Sequence, residues 1–257
     1  MEVLDFIVKS NESLNYRNVL LKVTPADGKP LAEMFPGQFV QILVEDSKEV
    51  FLRRPISVNF VDEKRNELWL LVQNVGNGTD KISQLKDNDV VNIIYPLGKS
   101  FTINNDVDNV VLIGGGVGTA PLLFLGDKLN KAGVSCDFIL GGASQEDVLQ
   151  IEQFEKLGDV FITTEDGKLG EKGYVTNHSI LSTKKYDYIY TCGPKPMMVA
   201  VAKYAKDNSI ECEASLENLM ACGFGACLCC IEKTKHGNLC TCTEGPVFNT
   251  KELTWLD

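Results

Sequence analysis

Six of the nine cysteines in this chain fall between Met220 and Phe248: Cys222, Cys227, Cys229, Cys230, Cys240 and Cys242. Thiolates are soft ligands for iron and zinc, and such a density points to a metal rather than to packing. Four of them are spaced Cys222-x4-Cys227-x2-Cys230-x11-Cys242, the C-x4-C-x2-C…C form that surrounds a [2Fe-2S] centre. Gly223 and Gly225 allow the loop to fold tightly, with N–H groups aimed at the sulfurs. Zinc also accepts four cysteines, and Cys227-x2-Cys230 has the spacing it prefers, although Cys240 and Cys242 do not. Spacing leaves Cys240 and Cys242 interchangeable as the fourth ligand.

A second set of residues could hold anions. Gly114-Gly115-Gly116-Val117-Gly118-Thr119-Ala120-Pro121 follows the apolar run Val110–Ile113 and precedes a helical pattern from Pro121 to Lys131, closed by Gly133. In a strand–turn–helix context, such glycines let backbone N–H groups approach a pyrophosphate at the helix N-terminus. Pro121 stands where the third glycine of G-x-G-x-x-G is usual, and its missing N–H is not needed in a first helical turn. Arg53-Arg54-Pro55-Ile56-Ser57 opens a strand pattern, and Val75-Gly76-Asn77-Gly78-Thr79 closes another. Arg54 could grip a pyrophosphate with its planar fork and Ser57 could add a hydroxyl. The same arginine pair could equally solvate a strand end. Cys192-Gly193-Pro194-Lys195-Pro196-Met197 and Gly141-Gly142-Ala143 are further turns at strand ends, where open α/β sheets bind ligands.

The elements that must carry these residues are of two kinds. Up to about residue 100 the chain reads as short strands: Val3–Val8, Val19–Val23, Phe39–Val44, Ile56–Phe60, Leu68–Val72 and Val90–Ile94. Turn residues separate them and one short helix is expected around Asp80–Lys86, which together suggest a closed antiparallel barrel. Beyond it, strands at 136–140, 160–163 and 188–191 alternate with helices at 146–157 and 196–206, the pattern of a parallel sheet. We therefore expect a β barrel over 1–101, an α/β nucleotide-binding domain over 102–212, and a small C-terminal [2Fe-2S] subdomain over 213–257.

Composition narrows the function further. With 257 residues, a net charge of -10 and no large Lys/Arg patch, the chain is a poor match for nucleic acid. The uncharged stretch Val110–Gly126 contains five glycines and a proline, so no membrane span is expected. The acidic start MEVLDFIVKS does not resemble a secretory signal, and clustered cysteines without a disulfide pattern fit a reducing, cytoplasmic setting. The four arginines lie at 17, 53, 54 and 65. None is in the nucleotide-binding segment, and Gln145-Glu146-Asp147 is acidic where an adenosine ribose could lie, so NAD is expected over NADP.

Arg54-Pro55-Ile56-Ser57 followed by Gly78-Thr79 resembles the FAD-binding barrel of the ferredoxin reductase superfamily. That resemblance implies that Arg54 and Ser57 hold the FAD phosphates, with Pro55 and Ile56 between them, that backbone at Leu71, Val72 and Gln73 lines the flavin, and that Gly78 and Thr79 close on the pyrophosphate. Pro55 replaces the tyrosine of many relatives, removing a stacking ring, and Tyr95-Pro96-Leu97-Gly98 resembles the family's G-P-L-G with tyrosine for the first glycine. Cys192-Gly193-Pro194 resembles its C-G-P-x-P-M motif, which implies that Cys192 borders the reacting nicotinamide; a small buried core cysteine is the alternative. Cys136 and Cys212 carry no motif and are expected to be structural thiols.

Met220–Cys230 with Cys242–Phe248 resembles the electron-transfer subunits of dihydroorotate dehydrogenase B, and all three motif sets occur in that family's order. The resemblance selects Cys222, Cys227, Cys230 and Cys242 as metal ligands and leaves Cys229 and Cys240 surplus. Ser215-Leu216-Glu217 matches the same family, implying a place for Glu217 near the flavin edge, though an exposed helix-start glutamate would read the same. The implied activity is electron transfer from an FMN-containing, dihydroorotate-oxidising catalytic subunit through [2Fe-2S] and FAD to NAD+, in a heterotetramer with two copies of each subunit. An exposed face near Cys227–Cys230 is the expected docking side. The alternatives are a subunit of an NADPH:ferredoxin transhydrogenase or sulfite reductase, and a zinc-bearing nucleotide-binding regulator. The transhydrogenase subunit typically has Asp where this chain has Cys222.

Overall fold

The computed structural model describes residues 1–45 and 48–257. Among these residues, β1 (Glu2–Ser13), β2 (Asn18–Pro25), β3 (Phe39–Ile42), β4 (Arg54–Asp62), β5 (Glu67–Gln73) and β6 (Val90–Leu97) close into a barrel in the order β1-β2-β5-β4-β3-β6, every pair antiparallel. Closure leaves no open sheet edge. The interior is filled by side chains such as Phe6, Val40, Ile42, Leu68, Leu70 and Ile93. Tyr95 belongs to that interior, its ring edge-on to Phe6 at 5.0 Å. Its phenol ring supplies core volume there. Helix α1 (Asn77–Ser83) follows β5 directly.

The second layer is a seven-stranded sheet. It is built from β7 (Asn109–Gly115), β8 (Ser135–Gly142), β9 (Asp159–Thr164), β10 (Glu171–Lys172), β11 (Tyr188–Cys192), β12 (Glu211–Ser215) and a late strand, β15 (Val247–Asn249), in the order β10-β9-β8-β7-β11-β12-β15. All neighbours are parallel except β12 and β15. β7 and β11 are buried through almost their whole length, as strands covered on both faces must be. Helix α2 (Ala120–Lys131) packs one face of the sheet against the barrel: Phe124 stands 6.0 Å from Phe60, and Asn59 donates to the Ala120 carbonyl at 3.0 Å.

Two expectations change in three dimensions. The helix expected over Glu146–Leu157 is instead a single 3-10 turn at Gln145–Asp147 and a short helix α3 (Ile151–Glu155). Between them Gln150 adopts φ +57°, its side-chain amide bound both ways to the buried Asn59 at 2.9 and 3.1 Å, while Val148 and Leu149 turn into the core. Those tertiary contacts outweigh helical periodicity. Secondly, the chain re-enters the α/β sheet after residue 212: β12 runs across that position, and β15 pairs Phe248 with Ala214. After α4 (Ile180–Thr183) and α5 (Lys195–Asp207), the cysteine segment is therefore a loop and hairpin, β13 (Ile231–Thr234) and β14 (Gly237–Cys240), tied at both ends to one sheet.

Candidate functional site

The cysteine loop rests on the outside of the barrel. Cys230, Cys240 and Cys242 are buried against Phe39, Ile94 and Leu97 of β3 and β6, whereas Cys227 and Cys229 are exposed. Gly223 (φ +80°), Gly225 (φ +86°) and Leu228 (φ +55°) adopt left-handed backbone that curls the loop inward. The Cys222 thiol associates with Cys227, and the Cys230 thiol with both Cys240 and Cys242. The Gly225 N–H donates to Cys242 Sγ at 3.2 Å and the Cys242 N–H to Cys230 Sγ at 3.4 Å. At Cys222, burial opposes ionisation. The N–H groups of Phe224, Cys227 and Ala226, with the Cys227 thiol, outweigh it and lower the thiol to about 6. Burial and the neighbouring Cys230 push Cys242 up to about 12; a coordinating cation deprotonates such a thiol outright. Cys240 is raised by burial, by Cys230 and by the Glu244 carboxylate, and its own N–H donates to Glu244 at 3.0 Å. Closely grouped thiols with N–H donors aimed at the sulfurs of Cys230 and Cys242 fit the chemistry of a two-iron cluster, which takes two cysteines per iron.

On β4 and the turn after β5, the sequence-predicted anion residues come together. Pro55 and Ser57 alternate with Arg54 and Ile56 along β4. A Cβ on Gly78 would strike Arg54 Nε, so this glycine admits the guanidinium against the first turn of α1. The Thr79 hydroxyl donates to the Gly76 carbonyl at 3.0 Å and accepts from the Val75 N–H at 2.9 Å, holding the turn closed. Of the three β5 residues, Val72 points into the barrel core and Leu71 onto Ala120 and Leu149. Gln73 faces a cleft.

That cleft, of about 710 Å3, lies between the barrel and the carboxyl ends of the α/β strands. Gly115, Gly116, Gly118, Gly193 and Pro194 line it; Gly114, Thr119 and Pro121 lie behind. A Cβ on Gly118 would collide with the Gly193 backbone, so the β7 and β11 turns touch main chain to main chain. Asn18 Oδ1 and Thr163 Oγ1 are buried without a hydrogen-bond partner among the described residues, and both residues line the cleft. Orphaned polar groups beside a glycine cradle fit a polar nucleotide.

Glu217 also lines the cleft, and partial desolvation raises its carboxyl above the usual range. Cys192 does not line it: fully buried in the core layer with Phe101 and Val247, its thiol is pushed well up, first by burial and then by Glu217. Cys136 and Cys212 are likewise buried, and burial pushes each up to about 12. Arg17 is a cleft residue that sequence reasoning missed, since it comes from the barrel and not from the nucleotide-binding segment. It binds Asp147 at 2.7 Å. Burial would raise the Asp147 carboxyl, but Arg17 and Ser144 hold it below the usual range, so the pair is charged at neutral pH.

Two of these three regions match known protein families. Residues 217–254 match the iron-sulfur cluster binding domain of dihydroorotate dehydrogenase B, and residues 112–203 match the oxidoreductase NAD-binding domain. The dihydroorotate dehydrogenase B (NAD+) electron transfer subunit of Clostridium perfringens (strain 13 / Type A) is 40% identical, over 86% of this chain and 88% of that protein. The protein of the same name from Shouchella clausii (strain KSM-K16) is 36% identical over 85% and 86%. Among solved structures, a chain of an NADH-dependent reduced ferredoxin-NADP oxidoreductase superposes with a TM-score of 0.87 and 27% identity, over 97% of this chain and 90% of that one. A barrel carrying an Arg-x-x-Ser strand, a glycine-lined cleft and a cysteine-rich loop, together with identity at this level across most of both lengths, place the chain in the family of dihydroorotate dehydrogenase B electron transfer subunits.

Proposed function

We propose that this chain is the electron-transfer subunit of an NAD-dependent dihydroorotate dehydrogenase, working in pyrimidine biosynthesis in the cytoplasm beside an FMN-containing catalytic subunit, with two copies of each. Among the described residues no helix is long and apolar enough to cross a membrane. The observation that carries the reading is the serial placement of three sites on one chain: the cysteine loop packed on β3 and β6, the Arg54–Ser57 strand next to β3, and the nucleotide cleft between barrel and sheet.

In this reading Cys222, Cys227, Cys230 and Cys242 hold the cluster, Arg54, Ser57, Gly78 and Thr79 hold the FAD, and the Gly114–Gly118 and Gly193-Pro194 turns hold NAD. When bound, the cluster passes single electrons and the flavin gathers them into the hydride that NAD+ accepts. The chain's own residues bind, orient and insulate these groups. Glu217 borders the reacting ring, and Cys192, which the motif had suggested for that place, packs behind it in the core. The three cofactor sites fall one to each of the stretches 1–101, 102–212 and 213–257, although the third stretch shares the α/β sheet of the second through β12 and β15. Leu219, Phe224 and Leu228 are exposed apolar side chains around the exposed Cys227 and Cys229, a surface suited to the catalytic subunit. Co-expression with that subunit is expected to yield a complex that forms orotate and NADH from dihydroorotate and NAD+. A flavin- and iron-loaded complex that forms no orotate overturns the proposal.

The Arg17–Asp147 pair makes a specificity prediction. A 2′-phosphate needs a free cation, and here Asp147 neutralises Arg17. Asp147→Asn is expected to raise kcat/KM for NADP+ relative to NAD+ by about tenfold, some 1.4 kcal/mol. Steady-state kinetics with both nucleotides check it; an unchanged ratio would mean that Arg17 lies outside the reach of the ribose.

A further inference from the structure

Gln41, in the middle of β3, is 0% exposed, and among the described residues neither its Nε2 nor its Oε1 has a hydrogen-bond partner. A buried carboxamide without partners is costly, and a strand position walled by apolar side chains would accept valine or leucine without that cost. Its surroundings show where a partner would be. The β3–β4 register is unbroken from Phe39↔Ser57 to Ile42↔Arg54, so side chains alternate strictly. Val40 and Ile42 enter the barrel core, whereas Phe39 faces outward onto Cys230, Cys240 and Cys242. Gln41 shares the face of Phe39. A Cβ on Gly223 would lie 2.5 Å from Gln41 Nε2 and 2.8 Å from its Cγ, so the glycine next to Cys222 lets the loop close on this amide. Across the ladder Gln41 pairs with Pro55 of the Arg54–Ser57 strand. The amide therefore sits between the cysteine loop and the strand that would carry the flavin.

The geometry points to Gln41 as a positioning residue for the iron-sulfur centre, its Nε2–H groups donating to the sulfurs held by the Cys222–Cys227 loop. The inference rests on the reading of Cys222, Cys227, Cys230 and Cys242 as cluster ligands. Hydrogen bonds to cluster sulfur stabilise the reduced form, which carries one more negative charge, and so raise its potential.

The test is an EPR-monitored redox titration of the assembled complex. Gln41→Met, which keeps the length and removes both polar atoms, is expected to shift the reduced-to-oxidised ratio of the cluster about tenfold towards oxidised at a fixed potential. For a one-electron couple that is about 59 mV, and the flavin titration stays in place. Gln41→Glu, with acceptor oxygens in place of the donor, is expected to shift it further the same way and serves if Gln41→Met does not assemble. Higher thermal stability with an unmoved cluster potential in both variants would make Gln41 a structural residue and overturn the inference. A wild-type complex with no reduced-cluster EPR signal would overturn the ligand reading itself, and this inference with it.

Discussion

Cys242→Ser is expected to lose its iron and sulfide and to slow dihydroorotate-dependent NADH formation by roughly 100-fold or more, since even outer-shell changes at metal sites cost 10–100-fold. Cys240→Ser is expected to keep both irons and most of the activity. The two cysteines are two residues apart and both are buried, so burial does not separate them. What separates them is the direction of the surrounding dipoles. Cys242 Sγ accepts the Gly225 N–H at 3.2 Å, and the Cys242 N–H reaches Cys230 Sγ. Cys240 instead gives its N–H to the Glu244 carboxylate. Because Arg54 and Gly78 lie on other elements, Cys242→Ser should retain its flavin. Iron and acid-labile sulfide analysis beside flavin absorbance reads the difference, and equal iron loss in both variants would contradict the assignment of Cys242.

The second large effect is at Gly118. A Cβ there would meet the Gly193 Cα, the Gly193 N at 2.7 Å and the Cys192 carbonyl oxygen at 2.9 Å, all main-chain atoms at the end of β11. Main chain held in a parallel ladder cannot yield as a side chain can, so the two turns of the cleft must separate. A displacement near 1 Å is enough to cost about 100-fold in a reaction that depends on alignment. Gly118→Ala is therefore expected to reduce kcat/KM for NAD+ by about that factor while leaving the flavin and the cluster reducible by dithionite. Gly133→Ala, just past the end of α2 and away from the cleft, is the control: its φ of +85° carries only left-handed strain and no atom lies within 4 Å, so the cost is about 1–2 kcal/mol of stability. Equal kinetics in the two variants would contradict the close approach as the reason for Gly118.

Local chemistry was largely legible in the chain. The spacing of Cys222, Cys227 and Cys230, the glycine turn between β7 and α2, and the proline-led strand at Arg54 each state their geometry within a few residues. Less legible was anything that depends on distant partners. The break at Gln150 follows from Asn59, ninety-one residues earlier, and periodicity cannot register it. Arg17 reaches the nucleotide cleft because the barrel's 14–18 turn folds against residues 145–147, where Asn15 donates to the Glu146 carbonyl at 2.6 Å. The fourth cysteine was ambiguous for the same reason, because two thiols on one short segment differ only in which backbone groups face them.

The sequence by itself thus determined the kinds of site present, since metal-ligand spacing and glycine turns are properties of short segments. It also determined the two architectures that carry them, since alternation and strand–helix order decide a barrel or a parallel sheet. The tertiary structure decided how the sites are joined. It set the cysteine loop on β3 and β6 through Phe39, Ile94 and Leu97, and returned the chain as β15 to the edge of the sheet. It also buried Gln41 between loop and strand. These placements depend on the packing of surfaces far apart in the chain, and no local pattern encodes which surface meets which.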